Sequence, residues 1–171
     1  MMLSDQTIRQ LVEAKEIAVT PQPEDIQFQP VSLDLRLGTS FHRLPTSRDG
    51  GEGTSIISSR TIIRPGEFLL AATQENLLLP DHISGVVHGK STWARRGLMV
   101  EAAGLVDPGF DGTITLELKN LSALPLTLTA GVPICQVSFH LLDTCVLRPY
   151  GSVGLGSHYQ GQVRATPASE A

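Results

Sequence analysis

A mainly β domain with one short N-terminal helix is the fold class predicted by this chain of 171 residues. Short runs that alternate apolar and polar residues recur along most of its length. Pro65-Gly66, Asp111-Gly112 and Ala130-Gly131 punctuate those runs, as turn residues do between neighbouring strands. Helical periodicity stands out only near the start. Short strands separated by turn signals build a sandwich or a barrel.

In chain order, residues 4–15 place Ile8, Leu11 and Val12 at helical spacing behind a capping Ser4, with Asp5 in the first turn. Residues 31–37, from Val31 through Leu33 and Leu35 to Leu37, then alternate as a half-buried strand that ends at Gly38. Residues 45–59 are polar and glycine-rich, and read as an exposed loop or loose hairpin. Further strands are expected at 67–73, 83–88, 113–119, 124–129 and 132–142. Residues 151–171 carry glycines and few large apolar side chains, so they read as a mobile C-terminal arm on a single domain spanning 1–171.

Composition narrows the function. Hydrophobic residues make up 41% and charged residues 18%, the balance of a chain that folds on a core. The formal net charge of -4 disfavours duplex nucleic acid, which is bound by neutralising many phosphates. No apolar run reaches membrane length, and the start Met1-Met2-Leu3-Ser4-Asp5 lacks a basic region followed by an apolar one, so a cytoplasmic protein is expected. Cys135 and Cys145 show no metal-ligand spacing and read as buried, reduced thiols.

Three stretches concentrate chemistry. Gly89-Lys90-Ser91-Thr92-Trp93-Ala94-Arg95-Arg96-Gly97 suggests a phosphate-binding loop, but Ser84 stands where such a loop needs its first glycine, and no βαβ context surrounds it. A short helix capped by Ser91 suits it better, because Ser91 and Arg95 then share a face. On 113–119, Ile114, Leu116 and Leu118 fall on one face, with Thr115, Glu117 and Lys119 on the other. A lone glutamate there is usually just solvated; in a pocket it can carry protons. The turn-rich residues 103–112 bring Asp107 beside Phe110.

These stretches, in order and approximate spacing, resemble dCTP deaminases, in the fold family shared with trimeric dUTP diphosphatases. So do Leu3-Ser4-Asp5, the strand Pro30-Val31-Ser32-Leu33-Asp34-Leu35-Arg36-Leu37-Gly38, and the end from Pro149-Tyr150-Gly151 to Gly161-Gln162. The resemblance implies a distorted antiparallel β-barrel, a homotrimer with active sites between subunits, and an arm folding over the nucleotide. It implies hydrolysis of dCTP to dUTP and ammonia, supplying dUMP for thymidylate synthesis, with dTTP as an inhibitor. Magnesium would come with the triphosphate, and no zinc would take part, since the zinc-deaminase signature is absent.

By the same resemblance, Glu117 would take a proton from the attacking water, while Ser91 and Arg95 hold that water and stabilise the developing charge. Asp107 would meet the sugar 3'-hydroxyl, and Lys90, Ser91 and Thr92 the phosphates. Thr115, Leu116, Gln136, Tyr150, His158 and Gln162 would complete the nucleotide site. Between Gly97 and Asp107 the chain is one residue shorter than the family pattern, with Glu101-Ala102-Ala103 where a His and a Thr are usual. His158 replaces a usual lysine, and Trp93 a leucine, as a space-filler. Gln136 and the Ala103-Gly104 form are closer to bifunctional, dUMP-forming deaminases. A dUTP diphosphatase is the other rival, although an apolar residue is usual there at the position of Glu117. A non-catalytic nucleotide binder would be expected to lack Glu117, Ser91 or Arg95, and all three are present.

Overall fold

The structure, a computed structural model, describes residues 1–45, 53–101 and 104–168. It is mainly β, as expected. Helix α1 (Asp5–Glu13) buries Ile8 and Val12, and Ser4 is its N-cap by backbone geometry, without a side-chain cap bond. Twelve strands follow: β1 (Ala18–Thr20), β2 (Phe28–Gln29), β3 (Ser32–Arg43), β4 (Thr54–Ile57), β5 (Arg60–Ile63), β6 (Phe68–Leu78), β7 (Ile83–Gly89), β8 (Leu98–Glu101), β9 (Leu105–Val106), β10 (Asp111–Asn120), β11 (Leu126–Thr129) and β12 (Pro133–Leu141). Two further helical turns are described, a 3-10 turn at Asp25–Gln27 ahead of β2 and α2 (Ser91–Ala94) between β7 and β8. No helix among the described residues is long and apolar enough to cross a membrane.

The main sheet runs β8-β10-β6-β3-β12-β7-β9, with β1 beside β6 and both β2 and β4 beside β3; β5 and β11 form a separate pair. Its pairings are antiparallel. Strand β3 curls this sheet. Its first half pairs with β12, from Leu33 to Arg36, and its second half pairs with β6, out to Arg43. The switch comes between Arg36 and Leu37. There the strand does not stop at Gly38 as its sequence suggests: a Cβ on Gly38 would lie 2.9 Å from the carbonyl oxygens of Ala72 and Thr73, so the glycine lets β3 cross β6 closely. Leu33, Leu35, Leu37 and Phe41 of β3 fill the enclosed core with Leu116, Leu118, Val137 and Phe139.

Strand β6 also outruns its expected end at residue 73, because Glu75 is neutralised inside the protein. Its carboxylate has no exposure. It accepts hydrogen bonds from Arg36 Nε (2.6 Å), the Arg36 backbone N–H (2.7 Å) and Gln27 Nε2 (3.1 Å). Arg36 reaches on to Glu24 at 2.8 Å. Of the two readings of residues 45–59, the hairpin fits: residues 54–57 form β4, antiparallel to β3, and residues 46–52 lie outside the described residues.

The cysteines differ. Cys135 is fully buried in β12 and burial pushes its thiol up, whereas Cys145 is exposed, against expectation, because it lies in the irregular segment after β12. The neighbouring Asp81 carboxylate raises that thiol too. Raised thiols hold less thiolate at neutral pH, and thiolate is the reacting species. Iodoacetamide is therefore expected to label Cys145 slowly, faster as the pH rises, and to reach Cys135 only after unfolding. Peptide mapping that finds Cys135 labelled first in the native protein would contradict this burial.

Candidate active site

Strand β7 ends at Gly89, and the chain turns through Lys90 into α2. The N-cap is Lys90, not Ser91. Ser91 is the first helical residue, and its carbonyl accepts the Arg95 N–H at 2.9 Å. Ser91 and Arg95 thus stand one turn apart on a common, exposed face, as their spacing indicates. Trp93 does more than fill space: it is buried, and its Nε1 donates to Pro133 O at 2.8 Å, tying α2 to the start of β12. Lys90 is anchored as well. Its Nζ lies 2.5 Å from Oδ2 of Asp34 on β3.

Asp34 was not singled out by its sequence, yet it is 5% exposed and its Oδ1 finds no hydrogen-bond partner among the described residues. The signal was there in principle: Ser32, Asp34 and Arg36 share one strand face, and Gln136 of β12 stands opposite Asp34. Lys90, Ser91 and Gln136 line a cavity of about 380 Å³ together with Ala94 and Glu101.

Strand β10 carries the second set. Ile114, Leu116 and Leu118 are buried, while Thr115 and Glu117 are half-buried on the opposite face. Leu116, expected at the nucleotide site, instead has no exposure and packs in the core, because its side chain points to the dry face of β10. Glu117 is clamped from both sides, with Leu70 of β6 and Glu101 of β8 as its register partners. Glu117, Thr115 and Asp107 line a cavity of about 490 Å³ with Phe110, Tyr150 and Gln162. Lys90, Ser91 and Gln136 thus stand at one cavity and Asp107, Thr115, Glu117, Tyr150 and Gln162 at another, while exposed Arg95 lines neither. Thr92 and His158 are exposed.

The segment after Tyr150 lies along β10. β8 covers the edge of β10 only from Glu117 to Asn120. Beside it, Gln162 forms a parallel bridge with Gly112: the Thr113 N–H donates to Gln162 O at 2.8 Å, and Gln162 Nε2 donates to Thr113 O at 2.7 Å. Ala165 is buried, and its N–H donates to Ser40 Oγ at 3.1 Å. The rings of Phe110 and Tyr150 stand 5.9 Å apart, and Tyr150 Oη accepts the Tyr159 N–H at 3.1 Å.

Gly109 makes the root of this segment possible. Its φ is +87°, and a Cβ there would lie 2.5 Å from Pro149 Cβ. Gly109→Ala is expected to cost about 1–2 kcal/mol in backbone conformation alone and to push residues 149–150 away. Limited proteolysis should then cut faster between residues 149 and 162; an unchanged rate would contradict that coupling.

An antiparallel sheet curled around its core, with a half-buried carboxylate in a part-apolar cavity, has the form of a small-molecule binding site. A family model described as dCTP deaminase-like matches residues 2–142. The chain is 38% identical to "dCTP deaminase, dUMP-forming" of Corynebacterium efficiens, covering 98% of this chain and 93% of that protein. It is 39% identical to the protein of the same name from Mycobacterium sp. (strain KMS), covering 98% and 95%. Among solved structures, a 2'-deoxycytidine 5'-triphosphate deaminase from Agrobacterium tumefaciens superposes with TM-score 0.70 at 23% identity over 82% of this chain and 46% of that one. This chain thus spans less than half of that protein. A dUTPase from phage phi11 of S. aureus shares the fold at TM-score 0.56 and 13% identity, over 77% and 94%. The chain belongs to the dCTP deaminase-like family.

Proposed function

We propose that this chain hydrolyses dCTP at C4, releasing ammonia, and then hydrolyses the resulting dUTP to dUMP and pyrophosphate. The carrying observation is Glu117, a half-buried carboxylate in a cavity of about 490 Å³ that also holds Asp107 and two aromatic rings. That volume suits a small ligand. The names of the relatives favour the dUMP-forming reading over release of dUTP.

In the first step Glu117 takes a proton from water as its oxygen bonds to C4, and delivers protons to the ring nitrogen and the departing amine. Ser91 and Arg95 hold that water and stabilise charge at C4. In the second step Asp107, which also meets the sugar, activates water at the α-phosphate. The substrate is the magnesium complex of the triphosphate, met by Lys90, Thr92 and His158, with Tyr150 and Gln162 closing over the nucleoside. Because Ser91 and Glu117 line different cavities of one chain, we assign them to neighbouring subunits of a homotrimer, a state that light scattering tests.

Incubation with dCTP and magnesium should yield ammonia, dUMP and pyrophosphate in equal amounts. Accumulating dUTP would restrict the chain to deamination, and turnover of dUTP alone would make it a diphosphatase. Untouched dCTP overturns the proposal.

A further inference from the structure

The turn between β6 and β7 and the segment after β12 hold a group of side chains that the proposed chemistry leaves unused. Asp81 and His82 occupy the turn, and Cys145 lies in the later segment. Two backbone hydrogen bonds lock the segments together: Leu142 N–H donates to His82 O and Val146 N–H to Asp81 O, both at 2.9 Å. A carboxylate oxygen of Asp81, a ring nitrogen of His82 and Cys145 Sγ consequently lie within 4.8 Å of one another. His82 Nδ1 is 3.1 Å from Asp81 Oδ1, while its Nε2 is 2.9 Å from Glu16 Oε1, just beyond α1. A carboxylate on the far nitrogen of an imidazole is the arrangement that fixes the tautomer and orientation of metal-binding histidines.

We propose that Asp81, His82 through Nδ1, and Cys145 form a zinc site, with Glu16 as its outer carboxylate. One thiolate, one imidazole and one carboxylate make a donor set for a borderline-soft ion, and the fourth tetrahedral position is left to water. Magnesium and calcium favour all-oxygen shells instead. On binding, the S–H bond of Cys145 is exchanged for a Zn–S bond and the proton leaves to solvent; nothing is oxidised or reduced. The side chains of Asp81 and His82 are 49% and 29% exposed, which leaves them room to close on an ion. Zinc here would pin residues 142–147, which lead directly into Arg148 and Tyr150 beside Asp107.

The test uses the full chain, reduced, stripped with a chelator and titrated with Co2+. A single equivalent should produce a thiolate-to-cobalt charge-transfer band in the near ultraviolet, which zinc bleaches. Cys145→Ser should lose that band while keeping its circular dichroism and unfolding midpoint, since the residue is exposed. His82→Ala should abolish tight binding, and Glu16→Gln should weaken it about tenfold or more. Zinc should also shield Cys145 from iodoacetamide. Absence of the band at one equivalent, or a band that survives Cys145→Ser, overturns the site. These readouts are independent of turnover, so the site and the proposed deaminase activity stand or fall separately.

Discussion

Glu117→Gln abolishes deamination while nucleotide binding survives: kcat for dCTP falls about a hundredfold to ten-thousandfold, the usual worth of a positioned acid–base group. The substitution keeps the size of the side chain and removes only its capacity to exchange protons. Strand β10 is paired on both sides at this position, with Leu116 and Leu118 buried next to it, so the amide sits where the carboxylate sat. Steady-state rates and nucleotide Kd measured side by side separate the two effects, and unchanged turnover would remove Glu117 from the mechanism. Mixing Glu117→Gln with Ser91→Ala probes the division of the site. Random exchange within a trimer restores about a quarter of the sites if the two residues act across an interface. No recovery would mean that they act within one chain.

The largest loss of stability is expected from Glu75→Ala. Removing one partner of a buried ion pair strands the other, at about 3–5 kcal/mol. Here Arg36 keeps Glu24 and has a 16% exposed side chain, which places the loss near the lower end of that range. Glu75→Gln retains an acceptor for the Arg36 backbone N–H and costs less, about 1–3 kcal/mol, as buried groups lose part of their hydrogen bonding. Urea unfolding of the three proteins gives the comparison; a Glu75→Ala variant within about 0.5 kcal/mol of the parent, the range of ordinary surface changes, would show that Arg36 is solvated after all.

The same pair shows where sequence reading succeeds and where it stops. The alternation across residues 113–119 was legible because one face of β10 is dry and the other is not. Gln74-Glu75-Asn76 looks like a strand's end, since the residue that neutralises Glu75 sits on β3, distant in sequence. Gly38 has the appearance of a turn because a close strand crossing and a turn both call for glycine. The four residues of β4 are mostly exposed, so they carry no apolar alternation to read. For the site, helical spacing brought Ser91 and Arg95 together correctly, and the resemblance supplied Glu117. Neither could supply Asp34, which is paired with Lys90 from the turn after β7, distant in sequence.

The bridge between Gln162 and Gly112 is made largely of main-chain groups. Such an edge cannot tell its own tail from the identical tail of another copy. What selects between them is reach: the linker after Tyr150 sets an effective concentration, in the millimolar range for short flexible tethers. A neighbour held at a fixed distance competes on equal chemical terms. Lengthening or stiffening that linker should therefore change which copy's tail is seated while leaving the bridge between Gln162 and Gly112 itself unaltered, making connectivity a variable separate from affinity.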